Sequence, residues 1–168
     1  MAFRNILKLN RYIIMASVII KQTDITKFYY GLGLAKRMHP KGDSLSSADE
    51  VVNEVAQAFQ SFASRYPNTP HKSIQAMFYR DHCKVYLAKD QNALTGGFLI
   101  LDGELKGLFS LKQGIGSWLV GWAVKEGAKR LDCFDGYLTG FYKRAGFTEV
   151  RRVENWAHGG PQVVYMEI

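Results

Sequence analysis

The sequence predicts a mixed, mostly antiparallel central sheet of about seven strands with helices on both faces, an α/β arrangement of the α+β kind. Three observations lead there. Residues 84–110 hold three strand-like runs separated by short turn signals, the pattern of a meander. Two segments with helical apolar spacing precede them. After residue 110, helix-like and strand-like segments alternate, which places helices over the faces of a sheet.

The elements follow in order. Ser17-Val-Ile-Ile-Lys21 is β-branched and suits an opening strand. Asp24 can cap a helix over Ile25 to Met38, which Pro40-Lys-Gly42 ends. Gly31-Leu-Gly33 inside that pattern reads as a kink or break of the helix, with a phosphate loop as the other reading. Ser47-Ala-Asp-Glu50 is a capping box, and Val51, Val55, Phe59 and Phe62 recur at helical spacing to about Arg65. Pro67-Asn-Thr-Pro70 stops that helix, and Ile74, Met77 and Phe78 suit a short helix over 72–80.

The period then changes. Lys84 to Lys89 is a strand, Gln91-Asn92 suits a turn, and Leu94 to Leu101 is a second strand carrying Gly96-Gly97. Asp102-Gly103 is a strong hairpin turn into a third strand, Glu104 to Ser110. A glycine loop, a helix from Gly116 to about Arg130, a strand from Leu131 to Phe134 and a short helix from Leu138 to Ala145 come next. Two last strands, 148–155 and 162–168, are joined by Ala157-His-Gly-Gly-Pro161.

With 168 residues, 47% hydrophobic and 22% charged, the chain has the composition of a folded domain rather than a disordered one. Met15 can be the start of that domain, which makes residues 1–14 an extension and 15–168 a single domain. The apolar stretch from Tyr12 to Ile20 is too short to span a bilayer, so no membrane is expected. Net charge is +7, with the basic residues scattered in pairs such as Lys143-Arg144. That favours anionic partners in general but gives no specific nucleic-acid arm. Cys83 and Cys133 form no Cys-x-x-Cys pair and read as free thiols in a reducing, cytoplasmic setting, with Cys133 a core thiol. The four histidines are dispersed, so no metal site is expected.

The chemistry concentrates at Gly114-Ile-Gly116. A strand that enters two glycines and then a helix leaves free N–H groups at the helix's first turn, a site suited to phosphate. Lys112 adds a positive charge beside it. The loop lacks the third glycine of a dinucleotide fold, since Leu119 stands there on the core side of the helix, and it lacks the Gly-Lys-Ser/Thr of a P-loop.

With the downstream helix, strand and Phe141-Tyr142-x-x-x-Gly146-Phe147, this segment resembles the GCN5-related N-acetyltransferase (GNAT) superfamily. The family's loop pattern is Gln/Arg-x-x-Gly-x-Gly/Ala; Gly114 and Gly116 match it, and Leu111 stands where Gln or Arg is usual. The resemblance implies acetyl-coenzyme A as cosubstrate, bound by Lys112, Gln113, Gly114, Ile115, Gly116 and Ser117 at the pyrophosphate and by the strand edge Leu108, Phe109 and Ser110 along the pantetheine arm. It implies Tyr142 as the residue near the leaving thiol, with a packed aromatic as the other reading. Glu104 is the candidate general base, or else an exposed strand-end acid. Gly146 reads as a helix C-cap in either case. The segments 131–137, 155–156 and 159–166 also resemble acetyltransferase-like domains encoded by tailed bacteriophages. Trp156 and His158 then border an acceptor site, or form an ordinary hairpin tip.

Two functions are therefore expected. One is an acetyltransferase acting on an amine of a protein or small molecule, in a phage setting a host or phage protein. The other is a catalytically silent module of the same fold that grips a host protein or nucleic acid through its basic surface.

Overall fold

A computed structural model describes residues 18–22, 25–38 and 48–168. Strand β1 spans Val18–Gln22, followed by helices α1 (Ile25–Met38), α2 (Ala48–Ala63) and α3 (His71–Asp81). The meander is β2 (Cys83–Asp90), β3 (Ala93–Leu101) and β4 (Glu104–Ser110). Then come α4 (Gly116–Lys125), β5 (Arg130–Phe134), α5 (Tyr137–Arg144), β6 (Thr148–Val153) and β7 (Val163–Glu167). Residues 1–14, Asp24, Pro40 and Ser47 lie outside the described residues, and so do the expectations placed on them.

The strands join one sheet in the order β1-β2-β3-β4-β5-β7-β6. Strands β2 to β7 are described with their side chains, and β1 adds its backbone along β2. Every pairing is antiparallel except β4 with β5, which run parallel.

Each face of the sheet has its own core, because strand side chains alternate. Cys83, Val85, Leu87, Leu99 and Leu101 meet Phe28 and Leu32 of α1, Val55 and Phe62 of α2, and Phe78 of α3. On the opposite face Phe98, Ile100, Leu131 and Val164 meet Leu119 and Ala123 of α4 and Tyr142 of α5. Helices thus cover both faces, as the sequence predicts.

Turns form where φ > 0 is accepted. Asp102 and Gly103 have φ of 48° and 82°, and Gln91 and Asn92 have 47° and 68°, so both hairpins use left-handed pairs that match the sheet's twist.

Several expectations need correction. Helix α4 stops at Lys125, not Arg130, because Gly127 takes φ 108° and ends it with Gly127 N–H donating to the Val124 carbonyl. Gly31-Leu-Gly33 neither breaks α1 nor forms a phosphate loop. Gly31 is the notch for the Phe109 ring, since a Cβ there would come within 2.3 Å of its Cζ. Strand β4 carries a register shift: Leu99 pairs with Gly107 and Ile100 with Leu105, leaving Lys106 as the extra residue of a bulge. The bulge sends Leu105 to the α4 face and Phe109 to the α1 face, although four residues apart they would otherwise share one.

Candidate active site

The site begins with a missing ladder. Strand β4 pairs with β3 along its length, from Leu101↔Glu104 to Gly96↔Ser110. With β5 it pairs only at Glu104↔Arg130. Beyond that point the two strands part, so the edge of β4 from Leu105 to Ser110 has no strand beside it. The strands fork, and a cavity of about 640 Å³ lies along the free C-terminal end of β4, facing α5, within the usual size for a small-molecule site.

The cavity is bounded by Leu108, Phe109 and Ser110 of β4, by 111–114 of the following loop, and by Gly116 and Ser117 of α4. Tyr137, Leu138, Phe141 and Tyr142 of α5 form the other wall, and Met38 closes a side from α1. Of the sequence-predicted site, Leu108, Phe109, Ser110, Lys112, Gln113, Gly114, Gly116, Ser117 and Tyr142 are brought together here. Ile115 and Glu104 are not among the lining residues.

Gly114 needs its glycine for conformation, at φ 89°, with open space around it. Gly116 needs it for access: an added Cβ has only the Phe141 ring at 3.5 Å and would project where the cavity lies. Helix α4 starts without a side-chain cap, and Ile115, at its N-cap, is buried in the core, where it contributes anchoring rather than contact. The Leu119 N–H is bonded to the Ile115 carbonyl, so the amides ahead of it, at Gly116, Ser117 and Trp118, are the unpaired ones of a first helical turn. Such amides at the positive end of a helix suit an anion. A diphosphate-bearing cosubstrate fits these residues: donors for the diphosphate at the turn, and a bare strand edge for an amide-bearing arm.

Lys112 is not the free cation that the sequence suggests. Its ammonium is held at 2.8 Å by Asp90, and its carbonyl accepts the Ser110 hydroxyl at 2.5 Å. The Leu111 N–H donates to the Thr95 carbonyl at 2.7 Å and its side chain packs on the α1-side core. These bonds brace the loop rather than charge it.

Tyr142 is buried, with its ring edge-on to Phe141 and Phe147. Burial, then the nearby Cys133 and Asp132, pushes its phenol well above the usual range. It is a firmly neutral donor facing the cavity. Cys133 is the core thiol expected, pushed up to about 11 by burial and then by Asp132 and other acids, with its Sγ 3.9 Å from Met166 Sδ. It is no ready nucleophile.

Glu104 lies where the strands part. Its carboxylate is held by Lys106 at 2.7 Å and approached by Arg130 at 3.7 Å, while Lys106 also reaches Glu54 of α2 at 3.0 Å. Asp135 braces the start of α5. Its Oδ1 accepts the Gly136 N–H and the Thr139 hydroxyl there, and its Oδ2 pairs with Arg152 at 2.6 Å. Trp156 is exposed and leans on Phe134 at 6.0 Å between ring centres.

Sequence reasoning missed Tyr137, Leu138, Phe141 and Met38. The first three belong to the same short helix as Tyr142, and the i−4 spacing from Tyr142 to Leu138 was the available signal. Met38 had none, since it reaches the cavity only through the fold.

No protein-family model matches the sequence, and no curated protein does. Solved structures do. RimL, the ribosomal-protein alpha-N-acetyltransferase in complex with coenzyme A, is similar at a TM-score of 0.53 and 16% identity, over 90% of this chain and 92% of that one. An aminoglycoside 6'-N-acetyltransferase from Enterococcus faecium gives 0.51 and 14%, over 88% and 94%. A protein from Desulfovibrio desulfuricans assigned to the GNAT family gives 0.55 and 14%, over 90% and 98%. The chain therefore shares the overall fold of these acetyltransferases.

Proposed function

We propose that this protein is an acetyl-coenzyme A-dependent N-acetyltransferase that acetylates an amine of a protein or small molecule. The single observation that carries the reading is the fork between β4 and β5, open onto a cavity that ends at the uncapped first turn of α4. The GNAT fold of coenzyme A-binding neighbours such as RimL supports it.

The residues divide the work by chemistry. The amides of Gly116 and Ser117 bind the diphosphate, and the β4 edge at Leu108 to Ser110 offers backbone groups to the pantetheine arm. Bound there, the thioester supplies the acetyl group. Tyr142 donates a hydrogen bond to the departing sulfur. An alkyl thiol titrates near 8.5, well below the buried phenol, so Tyr142 stabilises the thiolate mainly as a donor rather than by giving up its proton outright.

The domain proper is residues 15–168, with 1–14 as an extension. The resemblance of 131–137, 155–156 and 159–166 to phage-encoded domains supports a phage enzyme acting on a host or phage protein in the bacterial cytoplasm. The rival, a silent binding module, draws its support from Leu111, which turns into the core where the family places Gln or Arg, and from the engagement of Lys112 by Asp90.

Calorimetry with acetyl-coenzyme A, paired with a thermal melt, separates the two. A ligand at about 100 times its Kd stabilises by about 2.7 kcal/mol, which a melt resolves easily. Saturable binding supports the enzyme, and the absence of heat and of any melting shift at millimolar ligand removes it.

A further inference from the structure

The amine that attacks a thioester must first lose a proton, because an alkyl ammonium has no free lone pair at neutral pH. Two carboxylates stand where β4 and β5 part. Glu104 is engaged by Lys106 and Arg130. Asp132 lies two residues past the last β4–β5 pair. Its strand alternates, with Leu131 and Cys133 turned into the α4-side core, so Asp132 stands on the opposite face, across from Tyr165 of β7. Among the described residues it makes no ion pair and accepts no side-chain hydrogen bond.

Asp132 is not among the residues that line the cavity, but it lies within electrostatic reach of both sides of the fork. Its charge is felt by Lys106, Glu104 and Glu54 on one side and by Tyr142 on the other. Arg130 shares its face two residues back, and Arg151 of β6 lies over the Tyr165 ring at 3.8 Å. Asp132 is exposed at the surface, yet partial desolvation by the protein around it raises its carboxyl above the usual range; Lys106 opposes this, and Glu104 and Glu54 add to it. A carboxylate whose pKa is raised accepts a proton better than a fully solvated one.

Resting on the acetyltransferase reading above, we infer that Asp132, rather than Glu104, is the base that takes the proton from the acceptor ammonium at the fork. An N–H bond of the ammonium breaks, its electron pair stays on nitrogen, and the proton goes to the Asp132 carboxylate. The nitrogen lone pair forms the N–C bond to the acetyl carbonyl carbon. The C–S bond breaks with its pair on sulfur, which Tyr142 hydrogen-bonds. The second nitrogen proton balances the one that sulfur takes up. Ammonium and thioester give amide, thiol and one proton, which Asp132 releases to solvent.

The test uses n-butylamine hydrochloride titrated into full-length protein carrying ¹³C-labelled aspartate and glutamate, with and without coenzyme A. The Asp132 carboxyl resonance, assigned by its loss in Asp132→Asn, is expected to move saturably in the coenzyme A-loaded protein. A response centred on Glu104, or none at any carboxyl, overturns the inference. The same protein carries uniform ¹⁵N as well, so coenzyme A binding is read from the loop amides, and a failure of the acetyltransferase reading shows itself separately. With n-butylamine and glycinamide as acceptors, Asp132→Asn is expected to lower kcat at neutral pH by about 10²–10⁴-fold, recovering as pH rises and the amine deprotonates in solution. Glu104→Gln is expected to cost less than Asp132→Asn and to keep the wild-type pH profile. The opposite ranking also overturns it.

Discussion

The two edges of β4 are made of the same seven residues and behave in opposite ways. Toward β3 the strand is zipped from Leu101↔Glu104 to Gly96↔Ser110. Toward β5 it holds one pair and then lets go. The closed edge needs small residues: an added Cβ at Gly97 would lie 2.7 Å from the Tyr86 carbonyl oxygen and 2.9 Å from the Phe109 ring, and one at Gly96 2.8 Å from the Phe109 carbonyl oxygen. The open edge needs the reverse, a neighbour kept away. Strand β5 is kept away by its other side, where it pairs with β7 from Arg130↔Glu167 to Phe134↔Val163, and by the Arg152–Asp135 latch at its far end. A binding groove in a sheet can thus be made by withholding backbone hydrogen bonds, provided that both parted strands are anchored elsewhere.

The contrast is broken most severely at the open edge. Gly116→Glu places a side chain and a negative charge at the uncapped turn, where only the Phe141 ring stands near. Calorimetry is expected to show no acetyl-coenzyme A binding, with the melting temperature of the free protein little changed. Binding that survives would place the diphosphate elsewhere.

Tyr142→Phe comes next. Loss of one donor to a developing anion typically costs about 10²–10³-fold in kcat. The affinity for acetyl-coenzyme A is expected to stay near wild type. Equal turnover by mutant and wild type would leave the tyrosine a packing residue.

The closed edge is probed by Gly97→Ala. Overpacking of this kind costs about 1–3 kcal/mol, read as a lower urea midpoint with an unchanged slope. A neutral result would mean that β2 and β3 can spread to admit the methyl group.

The smallest effect belongs to the latch. Arg152 holds Asp135 and Glu149 below the ordinary carboxylate range, chiefly through its hydrogen bonds to them. Their folded pKa values are depressed, so the stability they lend is present above the unfolded values and is lost as pH falls through the folded ones. Arg152→Gln is expected to flatten the acid limb of melting temperature against pH while changing the neutral value slightly, because the pair is solvent-screened. An unchanged acid limb would mean that the latch does not hold β5 in place.

What the sequence revealed and what it hid divide along physical lines. The meander was legible because its turns are local chemistry: Asp102-Gly103 and Gln91-Asn92 both adopt the left-handed geometry such residues allow. The glycine loop was legible because strand, two glycines and helix lie within a few residues. The end of α4 was misplaced although Gly127 is its stop, since Lys129 and Arg130 beyond it read like the basic last turn of a longer helix. The bulge at Lys106 leaves no compositional mark, and neither does the fork, which consists of bonds that are not made. The neutralisation of Lys112 depends on Asp90, 22 residues away, and the site's second wall on a helix that only the fold brings across.

The notch at Gly31 carries a consequence for how such a chain can change by mutation. Glycine inside a helix costs about 1 kcal/mol relative to alanine, so selection for stability alone would replace it. At Gly31 that step is blocked, because the new methyl would meet the fully enclosed ring of Phe109. Shrinking Phe109 first opens a void in the core. Each single step is expected to cost stability, and the double change Gly31→Ala with Phe109→Leu to cost less than the two added together. A residue on the cavity floor and a residue on the outer helix are therefore inherited as a couple, and related chains should carry either both large-ring and glycine or neither.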